Sequence, residues 1–246
     1  MAYTTVNKST ANFNTKLWAG NGSSQALTGV GHQTDMAWIK SRTDTRKHNM
    51  YDVVRGVQKR IVPNDTVAED TVPGVTAFGT DGFTVGSETD TNGGSRNFVG
   101  RSWKANGAGS SNSDATGSYP ITSTVSANTT AGYSIVKYTG NGNSGNGVFI
   151  NTGFKPSWIL IKTTSLAGNN WQMYDNKREG YNPQNDLFRA NATDAEGNGT
   201  DPIDILSNGF KLYNAAGSAN QNGGTYIYMA FGQSLVGSNN IPCTAR

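Results

Sequence analysis

The chain is a succession of short apolar or alternating runs separated by polar turns, and no segment shows the 3.6-residue period of an amphipathic helix. Residues 36–40 and 157–162 are almost continuously apolar, which is typical of strands buried on both faces. The Asp-Gly pair at 81–82 and the Asn-Gly pair at 208–209 predict tight hairpins, because both central residues of a type I′ turn need positive φ. The pattern therefore predicts an all-β protein with no substantial helix.

An internal repeat organises these runs. Landmarks of residues 12–104 recur in the same order in residues 132–232. The strongest is a Met-Tyr-Asp-x-x-Arg motif, which occupies residues 50–55 and again residues 173–178. Each copy carries several short strands and closes on an aromatic one. The repeat predicts two tandem β-sandwich domains, of jelly-roll or immunoglobulin-like type, whose strand order the sequence leaves open.

The segment between the copies is predicted to be a linker. Residues 105–114 contain no apolar side chain larger than alanine, so they bury too little surface to become ordered, and the halves are expected to fold independently. Residues 121–127 are either a short extra strand or an extended arm. The predicted segments are an N-terminal arm (1–11), the first repeat (12–104), the linker (105–131), the second repeat (132–232) and a C-terminal arm (233–246).

Composition and charge limit the classes of partner that the chain is expected to bind. The net charge is only +3, and the basic residues are scattered apart from residues 42–47 and the pair Lys59 and Arg60. No basic stripe or nucleic-acid module is present, so we predict no nucleic-acid partner. The single cysteine, Cys243, allows neither an intrachain disulfide nor a thiolate metal cluster. The start lacks an apolar signal core and the apolar runs are too short to span a bilayer, which predicts folding in a cytoplasm without membrane insertion.

Three motifs could carry chemistry, and each has a simpler interpretation. Residues 140–145 match the dinucleotide fingerprint, but a turn and a strand follow where a helix is needed, so we predict a hairpin loop. Residues 88–93 resemble the opening of a calcium loop, yet Val99 stands where its bidentate glutamate belongs. We favour a polar turn there, and the alternative interpretation is a looser calcium site. His32 and His48 lack counterparts in the second copy and partners for catalysis, so we predict no catalytic residue, metal or cofactor.

The repeated motif supplies the most interesting polar residues. An aspartate and an arginine three positions apart can form a bidentate salt bridge that pins a strand end to a loop. We predict such structural pairs between Asp52 and Arg55 and between Asp175 and Arg178. The alternative is glycoside hydrolysis, which needs a second carboxylate from Glu69 or its second-copy counterpart. Recurrence in both copies favours structure, because a duplicated domain must keep its fold but need not keep an active site.

Aromatic side chains on loops could stack on sugar rings. The candidates are Trp18, Tyr138, Trp171 and Tyr181. The competing interpretation places them in the core, because tryptophan and tyrosine dominate the buried faces of sandwiches.

Several segments carry a resemblance to a known family. In the first copy they are residues 13–22 (FNTKLWAGNG), 38–42 (WIKSR), 51–56 (YDVVRG) and 78–83 (FGTDGF), and in the second copy residues 153–162 (GFKPSWILIK), 204–212 (DILSNGFKL) and 225–231 (TYIYMAF). Their order resembles a repeat domain common in structural proteins of marine and cyanobacterial phages. Members of that family are similar to tail-fibre, head-fibre or capsid-decoration proteins.

The resemblance implies a structural protein on the outside of a bacteriophage virion. Two copies without a stalk favour a compact head decoration or knob, or a tail-fibre component, made in the host cytoplasm and then located on the virion. Its expected partners are other virion proteins and further copies of itself. The alternative function is a carbohydrate-binding adhesion module that contacts a glycan on the host surface, and a glycan-cleaving enzyme is the third hypothesis. We predict no enzymatic activity.

Overall fold

The computed structural model describes residues 8–114, 121–144, 148–197 and 201–232. Its regular structure is almost entirely antiparallel strand, so the all-β prediction is confirmed. The first copy contains β1 (Phe13–Ala19), β2 (Gln25–Leu27), β3 (Met36–Ser41), β4 (Asn49–Asp52), β5 (Lys59–Arg60), β6 (Asp70–Thr71), β7 (Val75–Gly79), β8 (Gly82–Val85), the one-turn helix α1 (Thr89–Asn92) and β9 (Asn97–Trp103).

The remaining strands comprise two additional ones, β10 (Ser110–Asp114) and β11 (Ile121–Asn128), and then the strands of the second copy, which follow in the same order as those of the first. The second-copy strands are β12 (Tyr133–Thr139), β13 (Val148–Asn151), β14 (Trp158–Thr163), β15 (Gln172–Asp175), β16 (Phe188–Arg189), β17 (Ile203–Leu206), β18 (Gly209–Leu212) and β19 (Thr225–Phe231). A short 3-10 turn, Ser9–Ala11, precedes β1. The predicted C-terminal arm and residues 1–7 of the N-terminal arm lie outside the described residues.

Both copies have the same strand order. In the first, β1-β9-β3-β4 faces β2-β8-β7, and in the second, β12-β19-β14-β15 faces β13-β18-β17. Each pair of sheets encloses its own apolar core, centred on Phe83 and Phe98 in the first copy and on Phe210 and Tyr228 in the second. Every paired strand is antiparallel, and the common order makes the two copies structural duplicates.

The two sandwiches pack against each other through a third core. The outer face of the β1-β9-β3-β4 sheet contributes Met36 and Met50. The outer face of β12-β19-β14-β15 contributes Ile135 and Leu160, and the loop that enters β15 contributes Trp171. We call this cluster the inter-copy core. The described sheets therefore stack in four layers, and the central strands β3, β4 and β14 have buried side chains on both faces. This stacking explains why residues 36–40 and 157–162 are almost continuously apolar.

The segment between the copies is ordered. β10 pairs with β11, which pairs in turn with β12 and so extends the second copy's sheet. The Ala105 backbone N–H donates to Asp35 Oδ2 at 2.7 Å, and the Ser126 hydroxyl donates to the Gly107 carbonyl at 2.6 Å. The expectation that residues 105–114 stay unordered is wrong, because backbone pairing orders them without large apolar side chains. The inter-copy core also argues against independent folding of the halves.

The two predicted hairpins exist, but their turns are shifted by one residue. Gly79 pairs with Gly82 and Leu206 with Gly209, so residues 80–81 and 207–208 form the turns. A Cβ on Gly82 would lie 1.9 Å from the Leu27 carbonyl oxygen. The glycines are needed for the close approach of a neighbouring strand, and the predicted type I′ geometry is wrong. No helix in the described parts of the chain is long and apolar enough to cross a membrane.

Candidate functional site

Arg55 is the centre of an ion-pair network at the end of β4. Its Nε donates to Oδ2 of Asp52 at 2.5 Å, and its Nη1 donates to Oε2 of Glu69 at 3.0 Å. The other oxygen of Asp52 accepts the backbone N–H of Arg55 at 2.9 Å. The side chains of Arg55 and Asp52 are only 2% and 4% exposed. The network therefore ties the strand end to the loop after it and to the segment that precedes β6.

The second copy repeats the network atom for atom. Arg178 Nε donates to Asp175 Oδ2 at 2.7 Å, and Arg178 Nη1 donates to Glu196 Oε2 at 2.8 Å. The Arg178 and Asp175 side chains are more open, at 18% and 25% exposed. Burial opposes ionisation of Asp175, but hydrogen bonds from Lys177 and Arg178 outweigh it and lower the pKa of this carboxyl. We call the two networks the arginine clamps.

The clamp geometry suits architecture better than glycoside hydrolysis. Hydrolysis needs one carboxyl that keeps its proton until it protonates the leaving group. In the second clamp both carboxylates contact one guanidinium, and the lowered pKa of Asp175 keeps that group ionised. The structure thus brings together the four residues predicted as structural pairs and adds Glu69 and Glu196 as third members.

A buried asparagine anchors an equivalent loop in each copy, and sequence analysis missed both. Asn92 Nδ2 donates to Asn21 Oδ1 at 3.0 Å and to the Gly86 carbonyl at 2.9 Å. In the second copy, Asn220 Nδ2 donates to Asn141 Oδ1 at 3.2 Å. Both asparagine residues are fully buried. They fix the loops that leave β1 and β12, and we call them the asparagine staples.

A sequence signal for the staples existed. Asn92 precedes Phe98 by the same interval that separates Asn220 from Tyr226, the aligned aromatic residue of the second copy. The staple also explains the fingerprint at residues 140–145. The described part of that segment is a loop held by Asn220, and it leads from one sheet to β13 in the other. It is therefore a crossover between sheets, not the predicted hairpin loop.

Three of the four predicted sugar-stacking residues are buried. Trp18 and Tyr138 lie in the cores of their own copies, with 7% and 1% of each residue exposed. Trp171 is 1% exposed in the inter-copy core, where its indole N–H donates to the Val62 carbonyl at 3.0 Å. A stacking role for these three is wrong, because a sugar cannot reach their rings. Tyr181 is 67% exposed, so its ring is accessible to a sugar.

The calcium-like segment, residues 88–93, forms α1 and its caps. The Glu88 side chain accepts the Asp90 N–H, which satisfies a free donor of the helix end. Arg60 contacts Glu88 at 3.1 Å and Asp90 at 3.8 Å, so arginine already neutralises these carboxylates. Within the described ranges, no group of three or more histidine, cysteine, aspartate or glutamate residues is placed to hold a metal.

The two histidines have different surroundings. His32 is buried, and its ring nitrogens contact the Thr10 carbonyl at 2.9 Å and the Ser102 hydroxyl at 3.0 Å. His48 is half-buried, and its Nδ1 accepts the indole N–H of Trp38 at 2.9 Å. This bond leaves the His48 proton on Nε2. His48 borders a cavity.

That cavity is an open groove of about 470 Å³ at the loop between β3 and β4. Residues 40–46 line it together with His48 and Asn64. We call it the basic groove, because Lys40, Arg42 and Arg46 lie along it. Burial, reinforced by the positive charges of Lys40 and Arg101, lowers the pKa of His48. The groove can therefore offer several cations and a neutral imidazole N–H to one ligand.

Both copies of the repeat match one known protein family. A family model described as "Domain of unknown function (DUF7483)" matches residues 8–148 and, a second time, residues 142–234. The chain belongs to this family. The double match confirms that DUF7483 occurs here as a two-copy repeat. Neither the curated proteins nor the solved structures include a match to the chain.

The two DUF7483 copies share the clamps and staples but not the basic groove. Lys40 aligns with Lys162, which is fully buried and donates to the Asn169 carbonyl at 2.7 Å and the Thr66 carbonyl at 3.2 Å. Burial lowers the pKa of Lys162 to about 8. The equivalent loop of the second copy, residues 164–171, contains no lysine, arginine or histidine. The groove is thus a property of one copy and not of the fold.

Proposed function

We propose that the chain is a non-catalytic structural protein on the outside of a bacteriophage particle, as a head decoration or knob or as a tail-fibre component. The observation that carries the proposal is what the recurring polar residues do. In both copies the clamps and the staples use their charged and amide groups to hold loops, and none of these groups faces the basic groove. The order of the sequence motifs resembles that of phage structural proteins, and this resemblance is the reason for proposing a location on the particle.

The four-layer packing fits such a role. A particle component must hold its shape while it contacts neighbouring subunits. The inter-copy core joins the two sandwiches through residues such as Met36 and Trp171, so the pair presents its loops in a fixed arrangement. The partners we propose are other virion proteins and further copies of this chain, because symmetric placement lets weak contacts add up.

Purified particles provide the test. We expect peptide mass spectrometry of phage particles to detect this chain in a fixed ratio to the major capsid protein. An antibody to the chain should label one part of the particle in electron micrographs. Absence from purified particles, when the chain is abundant in the infected-cell lysate, would contradict the proposal.

The carbohydrate-binding alternative has one specific observation in its favour. Burial of Trp18, Tyr138 and Trp171 removes most of its predicted stacking surface. The basic groove, however, offers cations and hydroxyl groups to a ligand that needs no aromatic platform. A saccharide site of that kind is compatible with a structural protein on a particle surface.

A further inference from the structure

The basic groove has more positive charge than its carboxylates neutralise. Asp44 pairs with Arg96, and the other two nearby acids are also occupied: Asp65 contacts Lys47 at 2.6 Å and Asp90 contacts Arg46 at 3.4 Å. In the described part of the chain, no carboxylate lies within ion-pair distance of Lys40, Arg42 or Arg101. Lys40 and Arg42 line the groove, although Lys40 Nζ also donates to the Ser41 carbonyl at 2.9 Å. Arg101 is an exposed neighbour of the lining, and its charge acts on His48 together with burial. The groove and its border therefore carry three cations without an ion-pair partner among the described residues.

Hydrogen bonds hold the groove loop in place before any ligand arrives. The Arg42 backbone N–H donates to the Asn97 carbonyl at 2.7 Å, and the Asn97 N–H donates to Thr43 Oγ1 at 3.1 Å. Ser41 Oγ accepts the Asp44 N–H at 3.1 Å. Because the loop is already ordered, a ligand that binds there would lose less free energy to ordering the protein.

The second copy is a natural control for what the fold requires. Its equivalent loop, residues 164–171, connects β14 to β15 with the same sheet neighbours and contains no cation. Folding of this domain therefore does not need the charges of the groove. Clustered like charges repel one another, so their accumulation in one copy calls for a use other than stability.

The lining indicates the chemical class of the ligand. The volume of about 470 Å³ lies in the range of small-molecule sites. Thr43, Thr45 and Asn64 add hydroxyl and amide groups to the lining, which suits a molecule with many hydroxyl groups and an acidic group. The lining contains no phenylalanine, tyrosine or tryptophan, whereas single-stranded nucleic acid is usually bound by stacking on aromatic rings.

We propose that the basic groove of the first copy binds an anionic saccharide, whose carboxylate, sulfate or phosphate group contacts Arg42 and Lys40 of the lining and the neighbouring Arg101. His48 donates its Nε2 proton to the same ligand. This site goes beyond the proposed structural function and does not depend on it. Binding by the purified chain tests the site, whereas particle analysis tests the function, so the two can fail separately.

The experiment titrates the purified full-length chain with four probes. Oligogalacturonate and dextran sulfate are the anionic saccharides, dextran is the neutral control, and an oligothymidylate tests the nucleic-acid alternative. Calorimetry gives the affinity, and proton NMR follows the two histidines of the chain separately. We expect at least one anionic saccharide to bind, to shift the His48 signal and raise its pKa, and to leave His32 unchanged. Added salt should weaken binding.

A double variant with a matched control locates the site. Arg42→Gln with Arg101→Gln should lower the affinity about tenfold or more, because each arginine loses a charge-assisted contact. Lys137→Gln with Lys177→Gln removes two exposed cations of the second copy and should change the affinity less than about twofold. Equal effects of the two double variants would overturn the proposal. So would no binding of either anionic saccharide, equal binding of dextran, or tighter binding of the oligonucleotide.

Discussion

The arginine clamps allow one substitution to be made in two environments of the same chain. Asp52→Asn keeps an oxygen for the Arg55 backbone N–H but removes the charge opposite a guanidinium that is only 2% exposed. Removal of one partner from a buried pair costs about 3 to 5 kcal/mol. Glu69 still contacts Arg55, so we expect a loss of about 3 kcal/mol in the free energy of unfolding.

Asp175→Asn should cost much less. Water reaches both members of this pair, because Asp175 is 25% and Arg178 is 18% exposed. Partial solvation leaves the loss at about 1 kcal/mol. Urea unfolding at pH 7, followed by tryptophan fluorescence, measures both variants against the natural chain.

A third variant separates charge burial from general damage. Addition of Arg55→Met to Asp52→Asn removes the unpaired guanidinium, so the double variant should recover part of the lost stability. Equal losses for Asp52→Asn and Asp175→Asn would show that burial does not set the strength of the clamps. Unchanged stability of Asp52→Asn, with loss of a glycan-cleaving activity, would refute the structural assignment itself.

Three further predictions use the same unfolding assay. Trp171→Ala empties part of the inter-copy core and should cost about 4 kcal/mol, so a loss under 1 kcal/mol would contradict the stacking. Asn92→Ala and Asn220→Ala each leave buried loop carbonyls without a donor and should each cost about 2 kcal/mol. Lys162 binds fewer protons in the folded chain than in the unfolded one, so stability should rise by about 1 kcal/mol between pH 7.5 and 9, below the onset of tyrosine ionisation. Lys162→Met should abolish that rise, and a rise that persists in it would have another origin.

The sequence is informative wherever structure follows from local spacing or from duplication. Alternation and turn residues predict the strands, and the repeat predicts two sandwiches with the same landmarks. The clamp follows from a spacing of three between Asp52 and Arg55, because that interval suffices to bring the side chains together. Duplication then makes the structural interpretation the better one, since the same spacing recurs at Asp175.

The packing of one sandwich on the other was not predictable in the same way. The apolar outer faces were visible as continuous runs, but no pattern states which surface covers them. Trp171 shows the consequence: its indole bonds to Val62 in the other copy, so its burial depends on long-range stacking. Strand β10 escaped prediction because backbone pairing with β11, and not apolar side chains, orders it.

One asymmetry of the stack accounts for both the buried lysine and the open groove. The first copy's loop around Thr66 lies over the second copy: Thr66 accepts from Lys162 and from the Gly168 backbone, and the Glu69 N–H donates to the Thr164 carbonyl. The loop thereby covers the position that is equivalent to Lys40. A two-fold arrangement would cover Lys40 as well, but Lys40 Nζ donates to the Ser41 and Asp44 carbonyls of its own loop, and no hydrogen bond joins it to the described residues of the second copy. The same residue position is therefore an internal anchor in one copy and part of an accessible groove in the other.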